Sequence, residues 1–516
     1  MHSPSLRAKS PVRDPDAPST VAPRDEGRVV LLLLCLLAFA IRLGVHGLFQ
    51  SIAHPDETYQ YVEQAHRLVF GTGLVPWEYR LGVRSWLIPG VLAGVLEIAR
   101  LFGGSPAAQL WAVTAFMAAL SLPLVACAFR WGLNAGGLAA AIIAGALNAV
   151  WFEPVFFSVH PLADTIGAVC LTGGMFAACP GGAIPKRPRW FAAGALFGLA
   201  FGLRVPLAPA IAVAVPTTCG CHVRDRWRPL AAGAALALLL LGGLDALTWH
   251  APFQSIWLYL WLNAGRGLSS YFGVAPWYAY LFLEFGYCLF LLPVLAGFAI
   301  LGGRRLPVLL AVATVLFVSL SLVPHKEDRF LYPVLPIGLT LAGIGVATAA
   351  RRIASALRSP WSERRLGLAG AAACAALSLL LGAYGGFSRH FREGSAVLAG
   401  MRQVSADPAA CGLAVAPAED WWRIAGYTGL RPGIALYGIA PGSPSASGAA
   451  YDYAVSGRRD DLARYGLERE TCFPEWLSNG TTDAVCLWRR AGGCMADAAP
   501  ALRAAMPADF WANLRR

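Results

Sequence analysis

The stretch VVLLLLCLLAFAIRLGVHGLF occupies residues 29–49, and the sequence HPDE follows it at residues 54–57. The first stretch is an apolar run of more than 18 residues, which is long enough to cross a bilayer as one helix. The second brings two adjacent carboxylates, Asp56 and Glu57, to the membrane surface, where desolvation and mutual repulsion make them costly. That cost favours a chemical role, although acidic residues also end ordinary transmembrane helices as solvated groups.

The composition extends this pattern to the whole chain. Of 516 residues, 57% are hydrophobic and 14% are charged, and the mean hydropathy is +0.54. A soluble chain of this length carries about 25% charged residues. Apolar blocks of about 18 to 22 residues alternate with short basic clusters, which is typical of a polytopic helical membrane protein. The net charge of +12 lies mostly at segment ends, so it indicates membrane orientation and not nucleic-acid binding.

Three regions are predicted. Residues 1–28 are rich in Pro, Ser, Asp and Arg, and we expect a disordered cytoplasmic tail. Residues 29–386 form a multi-helix transmembrane domain that carries the candidate catalytic residues. Residues 387–516 contain short alternating apolar runs, such as 412–416, and predict a small extracytoplasmic α/β or α+β domain. The basic residues before position 29 place the tail in the cytoplasm and Asp56 outside.

The apolar segments that we expect to form helices are 29–49, 86–102, 110–129, 138–152, 162–179, 190–203, 206–218, 231–249, 277–301, 306–322, 332–350 and 366–384. The pair on either side of Arg204 predicts a hairpin or a broken helix, and Arg204 there binds an anionic donor group or pairs with an acid. The basic clusters at 186–189, 224–228, 304–305 and 351–365 indicate cytoplasmic loops. Residues 249–276, 324–331 and the chain after 385 then share a side with Asp56. The orientation between 86 and 179 stays open.

Twelve cysteines divide in the same way. Eight lie in or beside apolar segments, where small apolar packing explains them. The other four lie in the exported region, where an oxidising compartment favours disulfides with three alternative pairings: Cys411, Cys472, Cys486 and Cys494.

The segment after the two carboxylates predicts an interfacial helix. In a helix that begins near Asp56, the side chains of Gln60, Glu63 and Arg67 recur at three- and four-residue spacing and share one face. Trp77 suits the headgroup level of a bilayer. The segment thus describes a helix with carboxylates on its water side, and a purely structural juxtamembrane helix is the alternative.

A second charged cluster, PHKEDRF at residues 324–330, lies between two apolar segments on the same side. Its cations are suited to a phosphate, Lys326 by charge and Arg329 by bidentate hydrogen bonds. An ordinary charged turn is the alternative. Together the two loops predict transfer from a lipid-phosphate donor, because a hydroxyl nucleophile needs a base and a departing phosphate needs cations.

Other classes find less support. Neither a Walker motif nor a dinucleotide glycine motif occurs, so ATP coupling and a nucleotide-sugar donor have no basis in the sequence. A transporter or flippase of lipid-linked sugar remains the alternative from another class. It would need inverted repeats and charges near the bilayer midplane, whereas the sequence has no evident repeat and its carboxylates lie at the surface.

The two loops resemble the hallmarks of glycosyltransferase family 22, the endoplasmic reticulum mannosyltransferases of N-glycan and GPI-anchor assembly. In the first loop the resemblance rests on His54-Pro55-Asp56-Glu57, Gln60, Glu63, His66, Gly73, Trp77-Glu78-Tyr79 and Arg84-Ser85. In the second it rests on His325-Lys326-Glu327 and Arg329-Phe330, and between the two loops on Asp245, Asn263, residues 267–273 and Pro276-Trp277. These matches extend in order from residue 29 to about residue 350.

The resemblance implies an all-α polytopic GT-C fold, a polyprenyl- or dolichyl-phosphate mannose donor, and an inverting transfer to a glycan or glycolipid acceptor. Asp56 would be the base, and Glu57 would share or replace that role. Lys326, Arg329 and His325 would bind the donor phosphate, and no metal or other cofactor is expected to be required. The residues expected to support this site are His54, Gln60, Glu63, Trp77, Glu78, Arg84, Asp245 and Glu327.

The chain departs from the family pattern where the acceptor approaches. Pro76 stands where the family usually has Thr, and the stretch after Asp245 lacks the usual Tyr-Gly. Acceptor identity therefore stays open, and another polyprenyl-phosphate sugar, arabinose or glucose, remains an alternative. The Ala-, Gly- and Arg-rich composition predicts a bacterial inner membrane with a periplasmic active site, or the lumenal face of the endoplasmic reticulum for a eukaryotic-type protein.

Overall fold

The computed structural model describes residues 24–182, 184–440, 450–476, 482–494 and 499–515. Residues 1–23 of the predicted disordered tail lie outside these ranges. Residues 24–28 belong instead to the first helix, Arg24–Leu48. The acidic side chains of Asp25 and Glu26 lie in its first turn, where the positive end of the helix dipole favours them.

The chain up to Tyr384 is mostly helical. Its α-helices are Arg24–Leu48, Glu63–Phe70, Trp77–Leu81, Leu87–Leu101, Pro106–Leu120, Leu122–Val150, Phe152–Phe157, Ala163–Ala178, Arg187–Leu203, Ala208–Cys219, Arg228–Thr248, Gln254–Leu260, Ala279–Cys288, Leu292–Gly303, Pro307–Leu322, Asp328–Leu331, Leu335–Ala356 and Glu363–Tyr384. Within the described ranges, six continuous helical segments are long and apolar enough to cross a membrane: Asp25–Leu48, Pro106–Val150, Val223–Thr248, Ala279–Gly303, Asp328–Ala356 and Glu363–Tyr384. The chain is a multi-pass membrane protein, as its sequence predicts.

The helical bundle has two opposite ends, which differ in the residues that they carry. At one end, which we call the basic end, Arg305 Nη1 donates to Ala135 O at 3.4 Å and Arg351 Nε lies 3.1 Å from a Glu363 carboxylate oxygen. Helix Leu335–Ala356 has 22 residues and runs about 33 Å from there. The other end of this helix lies beside Arg329, which is hydrogen-bonded to Asp56. We call this the Asp56 end.

The helix predicted at 86–102 is present as Leu87–Leu101, which packs through Ile88, Leu92 and Leu96 on the segment that follows Asp56. The segment predicted at 110–129 starts earlier and continues as Pro106–Val150, with a non-helical turn at Gly137 (φ 71°). Glycine tolerates that left-handed backbone.

The predicted break at Arg204 is confirmed. Helix Arg187–Leu203 ends there, Arg204 has a non-helical backbone (φ −143°, ψ 87°), and helix Ala208–Cys219 follows. Pro206 removes a backbone donor, which prevents one continuous helix across the break. The interruption leaves Arg204 at the Asp56 end with its side chain available to neighbouring elements.

The C-terminal region forms a mixed five-stranded sheet, which confirms a small α/β or α+β unit after the membrane helices. A 3₁₀ segment, Gly386–Arg392, leads to helix Ser395–Ala406, which packs on one face of the sheet. The strands are β1 Gly412–Ala416, β2 Ala435–Gly438, β3 Tyr453–Ser456, β4 Glu468–Trp476 and β5 Thr482–Arg489, in the order β2-β1-β3-β5-β4. Strand β1 is parallel to β2 and β3, and β5 is antiparallel to β3 and β4.

Two disulfides select one of the three possible pairings. Cys411 is bonded to Cys494, and Cys472 is bonded to Cys486. The second bond joins directly opposed residues of β4 and β5. The first ties the start of β1 to the chain beyond β5.

Candidate active site

Asp56 and Arg329 form the centre of the candidate site. Arg329 donates from Nη2 to Asp56 Oδ2 at 2.6 Å and from Nε to Glu327 Oε2 at 2.5 Å. His54 lies beside both acids, with Nδ1 3.4 Å from Asp56 Oδ1 and Nε2 3.4 Å from Glu327 Oε2. The guanidinium therefore bridges two carboxylates, and the imidazole lies close to the same pair.

This arrangement keeps both acids ionised. Burial alone would raise the pKa of Asp56, but the positive charge of Arg329, with help from His54, holds it well below the usual range. Burial also opposes ionisation of Glu327, and Arg329 and His54 again hold the pKa of that carboxyl below its ordinary value. Asp56 is thus a carboxylate at neutral pH, with its side chain 21% exposed.

Glu57 points away from Asp56. Its Oε2 lies 2.8 Å from Nδ1 of His160, and both side chains are buried. The two residues stand at the start of a π-helical segment, Glu57–Val62, and successive side chains of a helix point in different directions. The adjacent carboxylates therefore lie in separate environments.

The other cations of the second loop are engaged by the protein. Lys326 Nζ donates to Ser321 O at 2.9 Å and to Val323 O at 2.5 Å. His325 Nε2 lies 2.7 Å from Glu327 Oε1. Of the three residues predicted to contact a phosphate, only Arg329 lies against Asp56, and its guanidinium already holds two carboxylates.

Asp328 faces the opposite side of this loop. It accepts a short hydrogen bond from the hydroxyl of Tyr287, and its Oδ2 lies 3.0 Å from Nε2 of His390. Burial lowers the pKa of His390, but the hydrogen bonds to Asp328 and Glu393 raise it to about 9. This network ties the second loop to the segment that enters the C-terminal region. No pattern in the sequence pointed to it, because its members come from three distant segments.

A small cavity of about 30 Å³ lies near the cluster of Asp56 and Arg329. Its polar walls come from four segments of the chain and include two arginines: Tyr61, Arg84, Ser85, Arg204, Ser255 and Tyr259. The guanidinium of Arg84 lies over the Tyr259 ring at 5.7 Å, and its buried Nε has no hydrogen-bond partner among the described residues. Arg84 is also near enough to Asp56 to lower the pKa of that carboxyl.

Arg204 is paired and also lines the cavity. Its Nε lies 2.7 Å from Asp164 Oδ1, and its guanidinium lies over the Phe330 ring at 4.4 Å. The same Phe330 ring faces Arg329 at 5.2 Å. The broken helix therefore brings a second arginine to the site, and the pairing with an acid is the contact that the structure contains.

Asp245 supports the cavity wall from behind. Its buried Oδ2 accepts hydrogen bonds from Ser255 N at 2.9 Å and from Ser255 Oγ at 2.6 Å. The wall is joined to the first loop by Trp249, whose Nε1 donates to Arg84 O at 3.0 Å. Ser255 and Tyr259 carry no sequence signal of their own, because only this packing brings them to the cavity.

Gln60 and Glu78 form a buried pair near Asp56. Gln60 Nε2 donates to Glu78 Oε1 at 2.7 Å. Burial and then the negative charge of Asp56 raise the pKa of Glu78 to about 7. This carboxyl therefore changes its charge close to neutral pH.

Glu63 and Trp77 face the C-terminal region. Glu63 is fully buried and accepts hydrogen bonds from Leu74 N at 2.8 Å, Tyr427 N at 2.9 Å and Thr428 Oγ1 at 2.6 Å. Trp77 packs on Phe510, with ring centroids 5.2 Å apart. The predicted water-facing surface of the interfacial helix is thus covered by the C-terminal region. The sequence could not show this, because the covering residues lie more than 300 positions away.

In the described ranges, one cluster of residues has side chains close enough together to hold a metal ion: Cys411, Asp452 and Cys494. The two sulfurs are bonded to each other, so they are not thiolate ligands. Asp452 Oδ1 accepts instead from the backbone N–H groups of Cys411 and Gly412.

Comparison with known proteins identifies relatives along most of the membrane region. The model of the Alg9-like mannosyltransferase family matches residues 31–407. GPI mannosyltransferase 3 of Trypanosoma brucei brucei is 25% identical over 370 residues, which cover 60% of this chain and 64% of that protein. GPI mannosyltransferase 3 of Drosophila melanogaster is 28% identical over 328 residues, covering 60% of this chain and 55% of that protein. The matched region thus spans less than two thirds of these relatives.

A solved structure has the same fold over nearly the whole chain. ArnT from Cupriavidus metallidurans, in complex with undecaprenyl phosphate, aligns with a TM-score of 0.59 and 13% identity, covering 90% of this chain and 98% of that one. At this identity the likeness concerns the fold alone, and the fold is the predicted GT-C type.

Proposed function

This chain belongs to the Alg9-like mannosyltransferase family, and from that premise we propose that it is a membrane mannosyltransferase. The donor is a polyprenyl- or dolichyl-phosphate mannose, and the acceptor is a glycan or glycolipid. The observation that carries the proposal is an ionised, partly exposed carboxylate, Asp56, within electrostatic reach of Arg84, which lines a polar cavity together with Arg204. A base next to an anion-binding cavity is the arrangement that such a transfer needs.

Asp56 acts as the general base. The acceptor hydroxyl oxygen attacks the anomeric carbon of mannose, and its proton passes to Asp56. The bond from that carbon to the phosphate oxygen breaks, and its electron pair leaves with the lipid phosphate. Attack from the opposite face inverts the configuration at this carbon. Arg329 donates to Oδ2 of Asp56 at 2.6 Å, whereas His54 Nδ1 lies 3.4 Å from Oδ1, so Oδ1 is the less tightly held oxygen and takes the proton.

Glu57 supports the base and does not replace it. Its side chain is buried against His160, whereas Asp56 is reached by solvent at the candidate site. A general base must come within hydrogen-bond reach of the hydroxyl proton. The contact with His160 holds the start of the π-helical segment in place and thereby positions Asp56.

Arg84 and Arg204 bind the donor phosphate. Both line the cavity, and Arg84 has a buried nitrogen without a hydrogen-bond partner among the described residues. Arginine suits a phosphate because it stays charged and presents donors in a planar fork. Lys326, Arg329 and His325 are the residues expected from the sequence, but they do not line this cavity. In this proposal they shape the loop and hold Asp56.

The site faces the periplasm of a bacterial inner membrane. The supporting observation is the collection of Arg305 and Arg351 at the end of the bundle opposite Asp56, because cytoplasmic loops carry the excess of Lys and Arg. The acceptor is then an envelope glycan or glycolipid. The glycolipid class accords with the names of the GPI mannosyltransferase 3 relatives.

The direct test uses the full-length protein in detergent with polyprenyl-phosphate [¹⁴C]mannose and a lipid extract from a strain that lacks the protein. We expect equal amounts of mannose transferred to lipid or glycan and of polyprenyl phosphate released. Polyprenyl-phosphate arabinose and glucose serve as parallel donors. Transfer from either of these in place of mannose would contradict the sugar assignment. Movement of the lipid-linked sugar across a vesicle bilayer without bond formation would contradict the enzyme assignment.

The phosphate assignment has a separate test in the same assay. Arg84→Gln removes one charged donor and should raise KM for the polyprenyl-phosphate mannose by about tenfold. Arg80→Gln is the matched control, because Arg80 is exposed in the same segment. An unchanged KM in Arg84→Gln would exclude Arg84 from the phosphate site.

A further inference from the structure

A second opening lies at the Asp56 end, on the outer surface of the bundle. It is an open groove of about 390 Å³ between the end of helix Arg24–Leu48 and the segment that enters helix Ser395–Ala406. Its walls include apolar and polar side chains, among them Leu48, Phe49, Phe391, Gln50, Arg392 and Arg402. Neither the family resemblance nor the mechanism uses these residues.

The apolar wall continues a surface that faces lipid. The helix ending at Leu48 is one of the six candidate spans, and Leu36 and Leu37 on its outer side are exposed. Leu48 is 78% exposed and Phe49 is 40% exposed. Because they stand where the span ends, the groove lies at the level of the lipid headgroups.

The opposite wall is positively charged. Arg392 is exposed, and Arg402 Nη1 donates to Gln50 Oε1 at 2.6 Å, which leaves its charge uncompensated. The neighbouring acid, Glu393, is turned toward His390 at 3.0 Å. Within the described ranges neither arginine belongs to an ion pair. Two such cations above an apolar surface complement a phosphate joined to acyl chains.

Aromatic rings separate this groove from the candidate active site. Phe391 packs on Phe156 with ring centroids 5.5 Å apart, and Phe156 packs on His160 at 4.6 Å. His160 in turn contacts Glu57. A molecule in the groove therefore has a wall between it and Asp56, which favours a resident lipid over a reacting substrate.

We propose that this groove binds the anionic headgroup of a glycerophospholipid from the surrounding bilayer. The phosphate lies between Arg392 and Arg402, and the acyl chains lie along Leu48 and Phe49. The lipid bridges the first membrane helix and the C-terminal region, which already meet through Arg402 and Gln50. This site is independent of the proposed transferase reaction.

The test is lipid binding by the delipidated full-length protein, followed by thermal unfolding and native mass spectrometry. Phosphatidylglycerol should raise Tm and remain bound in the spectrometer, whereas phosphatidylcholine and inorganic phosphate should do neither. Arg392→Gln keeps the contact between Arg402 and Gln50 and should weaken phosphatidylglycerol binding about fivefold. The double variant Arg392→Gln/Arg402→Gln should weaken it further.

The matched control removes two exposed arginines of the same domain outside the groove, Arg458→Gln/Arg459→Gln. It should bind phosphatidylglycerol as the unchanged protein does. Equal retention of phosphatidylcholine, protection by inorganic phosphate alone, or unchanged binding in Arg392→Gln would each overturn the proposal. So would a control that loses as much affinity as the groove variants.

Discussion

Asp56 and Glu63 belong to one continuous segment of the chain, yet their carboxylates face different partners. Asp56 is turned toward Arg329 and remains partly exposed. Glu63 is turned toward the backbone N–H groups of Tyr427 and Thr428 and is fully buried. Tyr59 belongs with Glu63, because its hydroxyl donates to Trp421 O at 2.8 Å.

The difference between Asp56 and Glu63 shows that the groups around a carboxylate decide whether it can act as a base or only as a hydrogen-bond acceptor. An acid that is paired with a cation and partly exposed to solvent keeps its charge and can accept a proton. An acid enclosed by backbone donors is a fixed hydrogen-bond acceptor, because moving it would leave those donors unpaired. Changes at Asp56 should therefore affect catalysis, and changes at Glu63 should affect stability.

The largest effect is expected from Asp56→Asn. The amide keeps the shape of the side chain but does not take up a proton, so kcat should fall about a thousandfold while Tm changes little. Mannose transfer and thermal unfolding are measured on the same sample. Asp225→Asn is the matched control, since Asp225 lies in an exposed ion pair with Arg187. Activity within threefold of the unchanged protein would exclude Asp56 as the base.

Arg329→Gln tests the cation beside that base. Burial raises the pKa of Asp56 and the positive charge of Arg329 lowers it, so removal of that charge should raise the pKa of Asp56. Protonation then removes the base at higher pH, and the acidic limb of the kcat/KM profile should move upward. At neutral pH the loss should be about a hundredfold. A profile with its acidic limb unmoved would show that Arg329 does not control this carboxyl.

Glu63→Gln tests the other half of the comparison. The amide group presents N–H where the carboxylate accepted, so at least one buried donor loses its partner, at a cost of about 2 kcal/mol. Thermal unfolding should occur earlier, and amide hydrogen exchange should increase around Tyr427 and Thr428. Glu419→Gln is the control, because Glu419 is exposed. A fall in kcat without any change in stability would reverse the roles given to the two acids.

The smallest effect is expected from Lys326→Gln. Its ammonium is held by the carbonyl groups of Ser321 and Val323, so KM for the polyprenyl-phosphate donor should rise less than threefold. Arg84→Gln in the same assay provides the contrast. A tenfold or larger rise for Lys326→Gln would return the phosphate role to the second loop.

Local features of the sequence predicted much of the membrane region. The apolar run at 29–49 and the interruption at Arg204 appear as Arg24–Leu48 and as two separate helices. Hydrophobicity and proline act within a few residues, so their effects are visible along the chain. Helix Leu87–Leu101 lies where the apolar segment 86–102 predicts it, but the residues on which it packs, such as Tyr61 and Ala65, belong to another segment.

The contacts of the candidate site depended on distant pairs. The sequence contained Asp56 and Arg329 as parts of separate charged loops, but their 2.6 Å contact joins residues 273 positions apart. The directions of Glu57, Lys326 and Glu63 depend on which carbonyl, imidazole or N–H group lies opposite. Such partners come from other segments and leave no periodic pattern.

By itself, the sequence determined the class of protein, most membrane helices, the C-terminal unit and the residue types of the candidate site. These follow from hydrophobic length, charge placement and motif content, which are properties of consecutive residues. Only the tertiary structure decided the disulfide pairing, the separation of Asp56 from Glu57 and the cavity shared by Arg84 and Arg204. Each of these requires distant side chains to meet, and that proximity is created by packing.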